Sequence, residues 1–314
     1  MHAPTYLRVV VTTRCNYHCG FCHLEGDPSK PGLQAGLERE RLVSLVAMAT
    51  RQGVRKLKFL GGEPLLRKDL PQIIGDIRRL DVPPADISII TAGAVPVERL
   101  DAAFDAGLDR ANMSVHGFGE ARFALHNRSR GAWGVRQRFM ETLLERGRPV
   151  KFNYVWTGDA CADDFVALCA HLRGTRAVVA LLDELGTGQG HATVARACRA
   201  LLGAPRAVDV ERDRHSLPTA RWVYDGLTIE LKDHRLGDLA PSRACAACPR
   251  RATCDEGIFA LRLTHDGRFQ PCMDRPDLAL DARALVDRHG LAAAEDAFAQ
   301  WLGAMFSTAP AVAA

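Results

Sequence analysis

The chain has 314 residues, 47 % of them apolar and 25 % charged, with a formal net charge of +4. That balance fits a globular protein of one large domain, or one domain with an appendage. No apolar stretch approaches the roughly 20 residues of a membrane span, and the mild, dispersed charge argues against polymeric nucleic acid while leaving a small phosphorylated partner open.

Met1–Leu7 shows no basic segment followed by an apolar run, so no secretory signal is expected and the location is read as cytoplasmic. Tyr6–Thr12 (YLRVVVT), rich in β-branched residues, predicts a first strand. Arg39–Arg51 has helical periodicity, and Lys56–Leu60 predicts a strand ending at Gly61-Gly62. Leu70–Leu80 predicts a helix, Asp86–Thr91 a strand ending at Gly93, and Val97–Ala106 a helix. Arg110–Val115, Ala132–Arg146, Val150–Trp156, Asp163–Arg173 and Ala177–Leu182 continue as strand, helix, strand, helix, strand, with a last helix at Ala192–Leu202.

Repeated βα units predict a parallel sheet with right-handed crossovers. Six strands are too few for a closed eight-stranded barrel. The expected fold class is therefore α/β, a partial (βα)6 TIM-like barrel with one side open to a large substrate. Chemistry in such sheets sits at the carboxyl ends of the strands. The Cys15–Cys22 segment follows strand one, Gly61-Gly62-Glu63-Pro64 follows strand two and Thr91-Ala92-Gly93 follows strand three, so all three fall on one rim.

From Ala204 the pattern changes. Ala204–Pro218 is charged and irregular and reads as a linker. Arg221–Leu231 reads as a hairpin turning at Asp225-Gly226. A strand at Ala260–Thr264, a turn at Asp266-Gly267 and a terminal helix near Asp281–Phe298 follow, and Ser307–Ala314 is expected to be disordered.

Ten cysteines in a chain expected to be cytosolic, where disulfides are rare, point to metal. Cys161, Cys169 and Cys198 are scattered and read as small buried apolar residues. Cys15, Cys19 and Cys22 have the spacing C-x3-C-x2-C. Three thiolates on one loop hold three irons of a [4Fe–4S] cluster and leave the fourth open to an external amine and carboxylate. S-adenosyl-L-methionine (SAM) offers both. Zinc completed by His18 or His23 is the alternative, although zinc prefers paired C-x2-C knuckles. Cys245, Cys248, Cys254 and Cys272 form a second group, C-x2-C-x5-C and then one more. It reads as a fully ligated cluster, an open cluster on three ligands, or a structural zinc site.

C-x3-C-x2-C with the aromatic Phe21 before its last cysteine, directly after strand one, resembles the signature of the radical SAM superfamily. The resemblance implies an enzyme that holds one [4Fe–4S] cluster on Cys15, Cys19 and Cys22, binds SAM, and takes an electron from a reductant such as flavodoxin or ferredoxin. Gly61-Gly62-Glu63-Pro64 resembles the motif that binds the SAM amino group; a carboxylate at Glu63 suits an ammonium, and two glycines let the backbone come close. Thr91 and Gly93 resemble the strand-three turn that lines SAM, Ser114 the strand-four hydroxyl near its carboxylate, and Asn153 the strand-five polar residue near its ribose. Those three positions equally fit ordinary polar strand ends. Phe21 is implied near the adenine, through its backbone.

The second cysteine group resembles the twitch or SPASM extensions of the superfamily. This implies a small C-terminal Cys-rich auxiliary-cluster domain over 204–314, beside a barrel over 1–203, with a second [4Fe–4S] cluster on Cys245, Cys248, Cys254 and Cys272. Leu261-Arg262-Leu263-Thr264, Asp266-Gly267, Val11–Asn16 and Lys151–Asn153 are also similar to the GTP cyclases of molybdenum-cofactor biosynthesis. Those end in Gly-Gly, whereas this chain ends Ala-Val-Ala-Ala; where they carry two arginines, it has Ala260 and Arg262; and it has an extra cysteine. The departures imply a relative with another substrate.

The expected substrate is a small molecule, a nucleotide, nucleoside or sugar, that is oxidised, rearranged or cyclised in specialised or cofactor biosynthesis. A ribosomal peptide is second, and a non-catalytic iron–sulfur or zinc redox sensor or scaffold is the alternative from another class. His116, His126, Asp183 and Glu184 are candidate substrate contacts, and Arg128 and Arg130 candidate phosphate contacts; isolated polar residues of this kind are more often satisfied locally. No catalytic side chain stands out.

Overall fold

The computed structural model describes residues 4–17, 19, 22, 36–93, 95–127, 133–183, 190–211, 218–232, 243–246, 248–249 and 260–306. Six strands, β1 (Tyr6–Thr12), β2 (Lys56–Gly61), β3 (Asp86–Thr91), β4 (Arg110–Ser114), β5 (Val150–Trp156) and β6 (Ala177–Asp183), lie side by side and parallel. The helices between them are α1 (Arg39–Arg51), α2 (Leu70–Arg78), α3 (Glu98–Asp105), α4 (Glu120–Asn127) with α5 (Trp133–Glu145), and α6 (Ala162–Leu172); α7 (Gly190–Leu202) follows β6. This is the expected α/β arrangement of a partial barrel.

Alternation along each strand sorts the side chains. Leu7, Val9 and Val11 of β1, Leu57 and Phe59 of β2 and Ile87 and Ile89 of β3 are fully buried in one core beneath the helices. Burying each such side chain contributes about 1.5–3 kcal/mol. The alternate positions, Tyr6, Arg8, Lys58, Arg110, Asn112, Lys151 and Asn153, face the other way, into the concave side.

The chain beyond Ala204 extends this sheet at both ends. Strands β7 (Ala207–Glu211), β8 (Thr219–Tyr224) and β9 (Leu227–Lys232) add beside β6, with β9 parallel to it. After α8 (Arg243–Ala246), strands β10 (Leu261–Leu263), β11 (Arg268–Gln270) and β12 (Leu280–Asp281) add beside β1, with β10 parallel to it. The result is one 12-stranded sheet, β12-β11-β10-β1-β2-β3-β4-β5-β6-β9-β8-β7. Helix α9 (Ala282–Phe306) closes over β11 through Phe298, whose ring lies 4.3 Å from that of Phe269.

Three expectations are corrected. The supposed linker contains β7, whose alternating Ala207-Val208-Asp209-Val210-Glu211 looks polar because it is an exposed end strand. Helix α4 comes from a segment with no predicted helix. The terminal helix continues past Phe298 to Phe306, since Leu302 extends its buried stripe; it breaks at Gly290, with φ of 80°. Ser307–Ala314 lie outside the described residues. No described helix is long and apolar enough to cross a membrane.

Candidate cofactor and substrate site

The loop after β1 carries Cys15 and Cys19, both half-buried, and Cys22, which is exposed. The Tyr17 amide donates to the Cys15 sulfur at 3.4 Å, and the Cys22 amide to the Cys19 carbonyl at 3.1 Å. Burial and then the charge of Cys22 and Cys15 push the Cys19 thiol up to about 12. Burial likewise raises Cys15, opposed by the Tyr17 amide. Thiols set so close ionise together only beside compensating cations, which is the chemistry of iron ligands. Among the described residues no three His, Cys, Asp or Glu side chains converge as a chelate for a single ion; a cluster instead takes each thiolate on a different iron. Phe21, His18 and His23 lie outside the described residues.

Gly61-Gly62-Glu63-Pro64 ends β2 directly against this loop. The Gly62 amide donates to the Thr12 carbonyl at 2.9 Å and the Glu63 amide to the Arg14 carbonyl at 2.7 Å. A Cβ on Gly61 would stand 2.1 Å from the Thr12 oxygen, and one on Gly62 2.2 Å from that of Arg14. The glycines are thus needed for the approach of two backbone segments within the protein. Glu63 is fully buried. Its Oε1 accepts from the Leu65 amide (3.1 Å) and the Thr91 hydroxyl (2.9 Å), and its Oε2 from the Ala92 amide (2.8 Å). Burial raises its carboxyl, and these donors with Arg136 pull it back. Thr91 also accepts from the Gly93 amide at 3.0 Å. Gly93 has φ of 67°, and a Cβ there would lie 2.8 Å from Met113. Glu63, Thr91 and Gly93 therefore lock one rim turn to the next.

Ser114 and Asn153 stand opposite each other on β4 and β5. Asn112 donates its amide to the Asn153 side-chain oxygen at 3.5 Å. Above them lies a residue the motifs did not indicate. Arg136 of α5 is buried; one nitrogen donates to the Ser114 carbonyl, and its guanidinium lies 5.0 Å from the Phe123 ring centre. Its Nε and Nη1 have no hydrogen-bond partner among the described residues, and neither does the buried Tyr17 hydroxyl. Burial draws Arg136 down to about 10, while the charges of Tyr17, Cys19, Asp164 and Glu63 raise it. A buried cation with two unused donor groups, beside the thiols and the rim turn, fits a carboxylate ligand.

Lower on the concave face, register places Arg262, Arg8, Lys58, Ser88 and Arg110 in one row across β10, β1, β2, β3 and β4. Asp86 pairs with Arg110 at 2.6 Å. Burial lowers Lys58, and Arg8 and Arg110 lower it further against the influence of Tyr6. Like charges side by side across strands are destabilising without an anion. On the far side Glu230 of β9 pairs with Lys151 and, at 3.6 Å, Arg221. His116 is half-buried, and desolvation drives it well below an ordinary histidine. His126 is half-buried on α4 and Asp183 ends β6, whereas Glu184, Arg128 and Arg130 lie outside the described residues.

In the C-terminal part the Cys248 amide donates to the Cys245 carbonyl (3.1 Å), and the Arg275 amide to the Cys272 carbonyl (3.4 Å). The Arg275 side chain reaches the Cys248 sulfur, so the two turns are neighbours. Cys254 lies outside the described residues.

The radical SAM superfamily model matches residues 9–169, from β1 into α6. The chain belongs to the radical SAM superfamily. Membership brings a [4Fe–4S] cluster and SAM as cofactors, and makes the protein an enzyme. Similar proteins include a probable GTP 3′,8-cyclase of Methanocella arvoryzae, 28 % identical over 90 % of this chain and 85 % of that one. Another, from Methanopyrus kandleri, is 30 % identical over 86 % of this chain and 81 % of that one. In fold this radical SAM chain resembles Streptococcus suis SuiB bound to SAM, with a TM-score of 0.62 and 14 % identity over 92 % of this chain. It spans only 65 % of the SuiB chain. It also resembles anSMEcpe with bound SAM and a peptide, with a TM-score of 0.60 and 11 % identity over 96 % of this chain and 80 % of that one.

Proposed function

We propose that this radical SAM enzyme acts on a small anionic substrate, a phosphorylated nucleoside or sugar, held in the barrel beneath the SAM site. The row Arg262–Arg8–Lys58–Ser88–Arg110 carries that reading: it gathers four cations across five neighbouring strands on the concave face, with Asp86 pairing Arg110. The names of the cyclase relatives agree with a nucleotide. The departures at Ala260 and Arg262, and the extra cysteine, favour a substrate other than theirs.

When bound, the cluster and SAM together supply a 5′-deoxyadenosyl radical that removes a hydrogen atom from the substrate. Cys15, Cys19 and Cys22 would hold the cluster. Gly61, Gly62, Glu63 and Pro64 would hold the SAM amino group, with Glu63 supplying negative charge and fixing the turn. Arg136 would take its carboxylate near Ser114, Thr91 and Gly93 would line the pocket, Asn153 would face the ribose, and Phe21 the adenine. Cys245, Cys248, Cys254 and Cys272 would hold a second [4Fe–4S] cluster in the part of the chain from 204 on, and so supply or accept electrons. The reduced cytoplasm keeps such thiols available.

The test begins with anaerobic reconstitution. The wild type is expected to carry about eight irons, and a Cys15→Ala/Cys19→Ala/Cys22→Ala variant about four. With dithionite the wild type should release 5′-deoxyadenosine from SAM and the variant none; no release despite an intact first cluster refutes the reading. Calorimetry with nucleoside monophosphates and their parent nucleosides tests the substrate class. Equal affinity for both, unaltered by Lys58→Met, would remove it.

A further inference from the structure

The concave face changes character between β4 and β9. Register sets Ser114, Asn153, Ala180, Glu230 and Arg221 side by side across β4, β5, β6, β9 and β8. Glu230 therefore shares a row with Ser114 and Asn153, the proposed SAM contacts. Leu227, Ile229 and Leu231 of β9 are buried in the core beneath the helices, which turns Glu230 into the barrel. Its side chain is 12 % exposed. Ala180, between Asn153 and Glu230, carries a side chain of one carbon and leaves room across two strand spacings, roughly 10 Å. The carboxylate is only half used. Its Oε2 accepts from Lys151, while its Oε1 stands 3.6 Å from Arg221 Nε, an ion pair too long for a hydrogen bond. Among the described residues neither Oε1 nor the Arg221 side chain makes a hydrogen bond. Asp86 differs, because both of its oxygens accept from Arg110, at 2.9 and 2.6 Å.

We infer that Glu230 and Arg221 read the base of a nucleotide substrate and select cytosine or adenine. Glu230 Oε1 accepts from the exocyclic amino group, and Arg221 donates to the ring nitrogen beside it. The inference rests on the phosphorylated-substrate reading above and narrows it. An acceptor next to a donor matches an amino group next to an unprotonated ring nitrogen, the edge that cytosine and adenine present; a carboxylate is a recognised partner of the cytosine amino group. Uracil and hypoxanthine present a carbonyl and a ring N–H there, and so set an oxygen against the carboxylate. Guanine presents two adjacent donors, which call for both carboxylate oxygens, and Oε2 is held by Lys151. An ammonium fits poorly, since Lys151 and Arg221 flank the carboxylate and repel it. The amino group of a nucleobase is uncharged at neutral pH. A site built to hydrogen-bond one substrate group rejects the analogue that lacks it. The phosphate end is consistent: Arg110 of the cation row and Ser114 of the Glu230 row lie roughly 13 Å apart along β4, a span for a nucleoside monophosphate between them.

The experiment is calorimetry on the reconstituted full chain with cytidine, uridine, adenosine, inosine and guanosine monophosphates. The wild type is expected to bind cytidine over uridine monophosphate, or adenosine over inosine monophosphate, by roughly tenfold or more. In Glu230→Gln the side-chain amide can turn to donate, so this margin should vanish or invert. Lys58→Met should weaken both members of a pair and keep the margin, because it acts on the phosphate. Equal affinity within both pairs, a margin that survives Glu230→Gln, or tightest binding of guanosine monophosphate overturns the proposal. If Glu230→Gln melts lower because Lys151 is left unpaired, Glu230→Gln/Lys151→Met is measured instead, and a surviving margin there overturns the proposal too. If phosphorylated and parent nucleosides bind alike, the phosphate reading has failed, and cytidine against uridine and adenosine against inosine still judge Glu230. No binding by any of these compounds overturns both.

Discussion

Arg136 contributes a fixed positive charge within the protein, and two of its donor groups lack partners among the described residues. A hydrogen bond between charged groups is worth about 1.5–3 kcal/mol, so Arg136→Met should weaken SAM binding by roughly ten- to a hundredfold. Iron content should stay at the wild-type level; both are read by calorimetry and iron assay on the same preparation. Arg136→Lys is expected to restore little, because a lysine lacks the planar fork. The three N-terminal cysteines are legible in the sequence because their spacing is itself the chemistry. Arg136 is not legible that way: it is one of two arginines in its helix. Its signal is subtler, since it shares the buried stripe of Phe139, Met140 and Leu143, where a charge has no structural reason to be. Asp164 is a second such residue. Its carboxylate accepts from the Phe118 amide (2.6 Å) and the Tyr154 hydroxyl (2.9 Å), and burial raises it above the ordinary 3.8. The folded chain thus binds this proton more readily than the unfolded one. Its contribution to stability is full below 3.8 and is lost as pH rises through the folded value. Asp164→Asn should flatten that part of the stability–pH curve, measured by urea melts at stepped pH.

At the scale of elements, the site is built where consecutive strand ends meet. The β2 turn is hydrogen-bonded to the cluster loop, and Glu63 ties it onward to the end of β3. Gly62→Ala should disturb this junction directly, since its Cβ would collide with backbone rather than with a flexible side chain. We expect a loss of about 1–3 kcal/mol in stability, as for other core clashes, together with fewer irons retained per chain after gel filtration. Undiminished iron loading would show that the loop holds the cluster without the turn. The strand–helix rhythm through β6 is readable because each strand has a buried face and each helix an apolar stripe. Where that contrast fades, so does legibility. Strand β7 has almost no buried residue, and α4 is a short helix whose main burial is Phe123.

For the molecule as a whole, the sheet runs unbroken from β12 to β7, and the C-terminal strands flank the first six. Sequence reasoning saw a change of pattern near Ala204 and could not see that strand pairing crosses it, since pairing partners leave no local trace. Phe298 and Phe269 anchor this end. Phe298→Ala should cost about 3–5 kcal/mol, and in urea the chain should still unfold in one transition by circular dichroism and tryptophan fluorescence. Two separated transitions would mean that the end beyond Ala204 is independent of the rest.

The pairing of Leu7 with Leu261 has a consequence in time. Strand β1, which leads into the Cys15 loop, gains one neighbour from β2 early in synthesis, but its other edge is completed only when residues 261–263 have left the ribosome. Contacts so distant in sequence form slowly. The cradle for the first iron–sulfur centre is therefore finished only after residues 261–263 emerge, and cluster delivery is expected to follow that pairing rather than the synthesis of the Cys15 loop.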